Sequence, residues 1–411
     1  MSHTVATRDA NARVTVKSQA GPVNLPEFQA RSMMVPTTEL VRSFTPQTTG
    51  SWSTYSEWLL APDALPDHVD RVTLVTQLSA ATATGSTYVN LVGDASFLAR
   101  LIEVSIGSEL LWSGYPEATY LQSILHASNE SKVKTMASAG NLALATRKTN
   151  AAAGQTLALD IPIPFILKYG WLSKSHAAPL RIKVYHADLT SILATDGTAP
   201  VLSIQSLVMN VAGRSFVSQA NLAAVVNTQR KLGRVDERYL DVTRQQVALA
   251  SGSSTYTVLL QSFVGNYDHL LFVCRPTSAV ATALGNDPSA FVACQSYNLK
   301  DAGGNIVVPE ISSAYALGPL LAKFVSGDAT DIASGLGTVQ RKVYGVFWGS
   351  RPEDAINKGT SHGFFRMSGL EKLQVTFSAA LSANYVIDII GYVQANISCD
   401  AVGTVKKSLV V

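Results

Sequence analysis

Charge is what this sequence is short of. Only 15% of its 411 residues are Asp, Glu, Lys or Arg, against roughly 25% in a typical soluble domain. A chain with so few charges keeps little surface solvated on its own, so burial against partners is expected. The net charge of +3 is too small to make nucleic acid the main partner, because phosphate binders gather Lys and Arg on one face or in one run. The densest basic stretch, Arg230, Lys231, Arg234, Arg238 and Arg244, is interleaved with Asp236, Glu237 and Asp241 and reads as a solvated linker between domains. No specific nucleic-acid binding is expected.

Chemistry-bearing patterns are missing too. Three cysteines without C-x-x-C spacing indicate neither a disulfide framework nor a zinc site; Cys274 and Cys399 lie beside apolar strand patterns and read as small buried hydrophobes. The seven histidines, His3, His68, His126, His176, His186, His269 and His362, are scattered with no carboxylate at ligand spacing. There is no G-x-S-x-G elbow and no G-x-x-x-x-G-K-[ST] phosphate loop. The glycine-rich stretch 301–305 sits between strands and reads as a turn. Glu103, Glu109 and Glu117 have no spacing that would make them face one another as glycosidase carboxylates do. No catalytic, cofactor or metal residue is assigned, and the chain is not read as an enzyme. The most apolar window, residues 385–393, is short and holds Asp388 and Gly391, so it is no bilayer span. Residues 1–20 are polar, unlike a signal peptide.

What is present is strand pattern, stated twice. Leu157 to Ile161 runs into Pro162-Ile163-Pro164-Phe165; then Leu180, Ile182 and Val184 alternate with Arg181, Lys183 and Tyr185, and an apolar run from Val201 closes at Arg214-Ser215-Phe216. A period of two places one row in a core and the other outside. About 190 residues on, the order returns: residues 343–348, then Leu373, Val375 and Phe377 alternating with Lys372, Gln374 and Thr376, then residues 385–393. Upstream of each copy a strand leads to a Pro-Glu pair and a helix-like segment, 118–126 and 312–324. A repeat this long is a duplicated domain, not a solenoid. Short strands with close-spaced turns, such as Gly265-Asn266, argue for β-sandwiches. The expected layout is an extended arm over 1–50, a first sandwich over 51–222 and a second over 223–411, with a short helix near 219–229. Residues 129–154 read as a surface excursion without clear period.

Several short motifs resemble the double jelly-roll major capsid proteins of icosahedral DNA viruses. Trp348 to Glu353 with Gly359, and then Met367-Ser368-Gly369-Leu370-Glu371, is similar to that family's P-E strand end and its following F-S-R-I-D, with Gly369 in place of the Arg. Leu159 to Phe165, Ala178-Pro179-Leu180, Arg214-Ser215-Phe216 and Ile106-Gly107 resemble motifs of its first barrel. The resemblance implies an all-β fold of two tandem eight-stranded jelly-roll β-sandwiches with short helices in loops and an extended N-terminal arm. It further implies a homotrimer that tiles an icosahedral shell, in the virion, made in the host cytoplasm. Implied partners are copies of itself, penton and minor capsid proteins, and an internal membrane; no cofactor is implied. Assembly contacts are expected in the arm, at Arg8, Arg13, Lys17, Phe28, Met33 and Met34. The rival reading is a secreted or surface carbohydrate-binding pair of β-sandwiches, though its long loops lack aromatic platforms and acidic calcium ligands.

Overall fold

The structure, a computed structural model, describes residues 4–9, 12–17, 37–91, 93–125, 137–142, 144–231, 234–276, 291–316, 342–349 and 363–409. Near the start β1 (Thr4–Asp9) and β2 (Ala12–Lys17) pair as an antiparallel hairpin. The first sandwich then runs through β3 (Thr37–Phe44), β4 (Tyr55–Leu60), β5 (His68–Leu78), the short β6 (Thr82–Thr84) and β7 (Val89–Leu91), β8 (Ala99–Ile106) and β9 (Glu109–Gly114). It continues with β10 (Gln155–Asp160), β11 (Trp171–Leu172), β12 (Leu180–His186), β13 (Leu193–Thr195), β14 (Thr198–Val201) and β15 (Ile204–Phe216). Helices α1 (Pro116–Leu125), α2 (Leu144–Ala153) and α3 (Pro164–Tyr169) sit in its connections, and α4 (Gln219–Lys231) leads out. The second sandwich comprises β16 (Arg234–Leu249), β17 (Thr255–Leu259), β18 (Val264–Pro276), β19 (Ser296–Lys300), β20 (Ile306–Ser312), β21 (Tyr344–Phe347), β22 (Phe365–Ser368), β23 (Lys372–Thr376), β24 (Tyr385–Asp400) and β25 (Val405–Leu409).

The two sandwiches share one topology. In the first, the sheet order β10-β5-β15-β3 faces β4-β12-β8-β9; in the second, β21-β18-β24-β16 faces β20-β19-β23-β17. Reading strand for strand along the chain, each sheet takes its first, third, sixth and eighth strands on one side and the rest on the other. That is the eight-stranded jelly roll, in which every neighbouring pair is antiparallel. The alternation read from sequence holds: Ile182, Val184, Leu373 and Val375 are buried in the two cores, while Arg181, Lys183, Lys372 and Gln374 face outward.

Several expectations change. The first sandwich begins by Thr37, since β3 pairs with β15 over its whole length; the arm assigned to 1–50 therefore overlaps an edge strand. The Pro162–Phe165 stretch is no strand, because Pro164 opens α3, where a first-turn proline loses no hydrogen bond. Gly265-Asn266 is no turn: both lie in β18 opposite Met367 and Arg366, and Gly265 takes φ +127°, a conformation glycine tolerates best. The excursion assigned to 129–154 contains α2, which packs on β7 and buries Ala151.

β16 and β24 are sixteen residues each and pair end to end. That exceeds the length of one sandwich, so their far ends leave the second core and enter the first. Tyr239, Ala395, Ile397, Cys399 and, from β25, Val405 pack with Trp58, Leu111 and Ile182 in one apolar cluster. β25 zips onto Ala395–Cys399 of β24, so the last described strand helps to close the first core. Removing residues 403–411 should therefore speed amide exchange at Ile182 and Val184 in the first sandwich while Leu373 and Val375 in the second keep their protection. Equal loss in both sandwiches would show that β25 acts on the whole fold instead.

Candidate assembly surfaces

The sheet β16-β24-β18 carries apolar residues on both faces. One row, Phe272, Cys274, Ile387, Ile389 and Val393, fills the second core. The opposite row, Val242, Leu271, Val273, Ile390 and Tyr392, packs against Phe97, Ala118, Tyr120 and Leu121 of the first sandwich. Such double coverage needs near-continuous apolar strands, and residues 385–393 supply one. Polar bonds fix the register of the joint: the Tyr239 hydroxyl donates to the Leu111 carbonyl at 2.6 Å, the Lys407 amide donates to Glu109 at 2.9 Å, and the Ala177 amide donates to the Gly403 carbonyl at 3.2 Å.

At one end of this joint lies a buried ion cluster. From α1, Glu117 Oε1 accepts from Arg244 at 3.0 Å and from Arg275 at 2.8 Å. Asp388 accepts from Arg244 at 2.7 Å, from Arg275 at 2.7 Å and from the Gln246 amide at 2.8 Å. Both carboxylates are sealed, while the guanidiniums are 18% and 21% exposed. Burial, with the charge of Asp388 added, pushes the Glu117 carboxyl above its ordinary range more than the two arginines pull it down. Glu117 of the first sandwich meets Arg244 and Arg275 of the second, which also hold Asp388 of their own sheet, and this fixes one relative placement of the sandwiches, since a slip strands the Glu117 charge.

Arg244 was read from sequence as part of a solvated linker, and its place in this cluster is the main correction. Arg234 and Arg238 also belong to β16, and Asp241 is buried with the Lys407 ammonium on it. Alternating acids and bases look solvated when their partners are distant in sequence, and here the partners are 127 and 144 residues away. The usable signal was charge inside apolar strands: Asp388 in residues 385–393 and Arg275 next to Cys274.

Of the arm residues, Arg8 and Arg13 are register partners in the β1–β2 hairpin and Lys17 lies opposite Thr4. Phe28, Met33 and Met34 lie outside the described residues, as do Pro352, Glu353 and Gly359. The other motif positions are turn and strand anchors. Glu371 accepts from the Ser368 amide at 3.0 Å, the Ser368 hydroxyl at 2.8 Å and the Gly369 amide at 3.0 Å, which folds the tight turn after β22. Gly369 stands there at φ +84°. Arg214 makes a bidentate pair with Asp70, both bonds 2.9 Å, and the Phe216 amide donates to Asp67.

Among the described residues, histidines and glutamates singled out in the sequence bond within the fold, while His3, His126 and His362 lie outside the described residues. His186 is buried on Ser56 Oγ at 2.8 Å, and burial lowers its pKa to about 4. Glu103 accepts from the Tyr185 hydroxyl. The three cysteines are free and buried. Among the described residues no group of three or more His, Cys, Asp or Glu could hold a metal, and no helix is long and apolar enough to cross a membrane. On the outer face of the first sandwich, the Lys183 ammonium lies over Tyr55 at 3.9 Å and Tyr185 at 4.7 Å. That cation covers ring faces on which a sugar would stack.

No family model and no curated protein matches this sequence. Its structure, however, is similar to VP54 of PBCV-1, fitted into a cryo-EM reconstruction of the virophage Sputnik, with TM-score 0.65 and 11% identity over 92% of this chain and 97% of that one. It is similar also to a chain of the Sputnik virophage (TM-score 0.61, 12% identity, 100% and 94% covered) and to the Faustovirus major capsid protein (0.59, 8%, 92% and 91%). The chain has the double jelly-roll fold. Both jelly rolls take part in the likeness, because it spans nearly the full length of either partner.

Within this double jelly roll, the ion cluster gives a test of the joint. Arg275→Met leaves Asp388 Oδ2 without its donor and Glu117 with one guanidinium. Stranding buried carboxylates costs about 3–5 kcal/mol, and partial exposure of the arginines puts the expected loss near the lower end. The pH sign follows from Glu117. A carboxyl raised in the folded state favours folding when protonated and loses that contribution as pH rises through its folded value. Losing Arg275 raises it further, so the deficit measured by urea unfolding should be largest at about pH 8 and shrink toward about pH 5. A deficit independent of pH would rule out stranded carboxylates as its source.

Proposed function

We propose that this chain is the major capsid protein of an icosahedral DNA virus, associating as a homotrimer whose six jelly rolls form a pseudo-hexagonal tile of the shell. The observation that carries the reading is the joint. One chain fixes two sandwiches of identical strand order against each other through an interface that buries Leu271, Val273, Ile390 and Tyr392, which makes each copy a rigid third of a six-lobed ring. Three such copies close by rotation. The capsid role itself draws on fold-level likeness, supported by the low charge content, which suits a molecule that buries much of its surface against copies of itself. The chain acts without catalysis, in the virion shell, after synthesis in the host cytoplasm. Its lattice partners are further copies, a penton protein, minor capsid proteins and an internal membrane.

The arm, with Arg8, Arg13, Lys17, Phe28, Met33 and Met34, is an assembly element in this reading. A weakly basic segment carrying scattered apolar residues gains enough contact to offset its ordering cost only when a neighbour is present.

Mass photometry of the purified full chain should give three chain masses at nanomolar to micromolar concentration, whereas a stable monomer would contradict the proposal. Deleting residues 1–30 should leave that trimer intact and depress particle yield. Full-sized particles at normal yield from the truncated chain would remove the arm from the assembly pathway.

A further inference from the structure

At the end of the first sandwich where β3 begins, a groove of about 840 Å³ opens between α4 and the loops that follow β4 and β11. Leu65, Phe216 and Leu222, all buried, and Leu40 and Val226, half-buried, give it an apolar lining. Several of its polar groups are used within the fold: Lys174 donates to the Pro62 carbonyl at 2.5 Å, and Asp67 accepts from the Phe216 amide at 2.9 Å. Two charges stand open. Arg42 is exposed and makes no ion pair among the described residues, and the Asp63 side chain is 99% exposed, with the Lys174 ammonium 3.3 Å away. The groove thus offers apolar contact with one cation and one anion in its lining.

The chain carries a segment that matches. Residues 18–36 lie outside the described residues, and their sequence offers Leu25 and Phe28 as apolar anchors, with Glu27 to meet Arg42 and Arg31 to meet Asp63. β3 fixes where that segment leaves the fold: Thr37 pairs with Phe216, itself part of the groove. From Phe28 to Thr37 the chain reaches at most about 30 Å, enough to cross to an adjoining copy. The Val35-Pro36 dipeptide favours an extended course, because a proline ring restricts the residue before it, and that course leads the arm away from β3 instead of back along it.

We infer that Leu25 and Phe28 from the arm of one copy seat in this groove on a copy in a neighbouring trimer. This rests on the reading of the arm as an assembly element and deepens it by naming the surface that the arm meets. The copy's own groove is the less suitable seat, because Leu40 and Arg42 line it from the strand that the arm leads into, so the chain would have to reverse at Pro36. Burying two large apolar side chains gives the arm the contact that it lacks in isolation. Each groove takes one arm, so the exchange continues from trimer to trimer across a shell.

A dye-labelled peptide of residues 22–36 titrated into the purified full chain tests the seat without particles. Its fluorescence anisotropy should saturate at one peptide per chain, and Phe28→Ala in the peptide should weaken binding by about tenfold or more. Arg42→Glu in the chain, at an exposed position that spares the fold, should weaken it by about threefold, and Glu27→Arg in the peptide should recover the loss. In assembled particles, photoreactive benzoylphenylalanine in place of Phe28 should cross-link two chains, with the product mapping to α4. Failure of the peptide to saturate, indifference to Phe28→Ala, or cross-links that stay within one chain overturn the assignment. A wild-type chain that forms no particles yet binds the peptide would remove the capsid reading and leave the groove as the seat of the arm.

Discussion

The strands β16, β18 and β24 bury apolar side chains on both faces, and the arrangement of the molecule depends on that. One face completes the second core and the other closes on the first sandwich. Each fully buried Val, Leu, Ile or Phe contributes about 1.5–3 kcal/mol relative to exposure, so a row of five on each face makes either layer costly to uncover. The sixteen-residue length of β16 and β24 extends the effect, carrying Tyr239, Ala395 and Ile397 into the first core. The first core therefore includes residues of the second sandwich, while the second core is made of its own. The two behave as one body for that reason, and the ion cluster of Glu117, Asp388, Arg244 and Arg275 adds alignment more than stability, in keeping with the modest net worth of buried charge pairs.

A rigid pair has consequences for its free surfaces. Antiparallel sheets ordinarily keep one face wet and polar, and the outward face of β3-β15-β5-β10 carries Ser43, Thr73, Gln77, Ser206 and Asn210 mixed with Val41, Val75, Val208 and Ala212. Such a face is wet enough for a folded monomer and apolar enough to be covered.

Period-two alternation made much of this legible in advance. Ile182, Val184, Leu373 and Val375 lie in strands buried on one side only, where side chains alternate cleanly between core and outside. Their cores, the duplication and the helix near residue 219 could be read directly. β3 could not: its sequence, Thr37 to Phe44, belongs to an edge strand exposed along nearly its whole length, and exposure erases the pattern. The joint was hidden for a different reason. Arg244 and Asp388 are neighbours only after β16 and β24 have paired, so their charges looked solvated in one case and disruptive in the other. Motif positions such as Ser368, Gly369 and Glu371 were visible as a resemblance, while their work, closing a tight turn through three hydrogen bonds to one carboxylate, required coordinates.

The central claim is that one chain holds two equivalent jelly rolls in a fixed placement that three copies can close into a ring. Electron-microscopy class averages of the purified full-length protein test it most directly. The account predicts particles with six lobes of similar density about a three-fold axis, and lobes paired at one constant separation. Particles with two-fold symmetry, or with lobes whose separation varies from particle to particle, would contradict it.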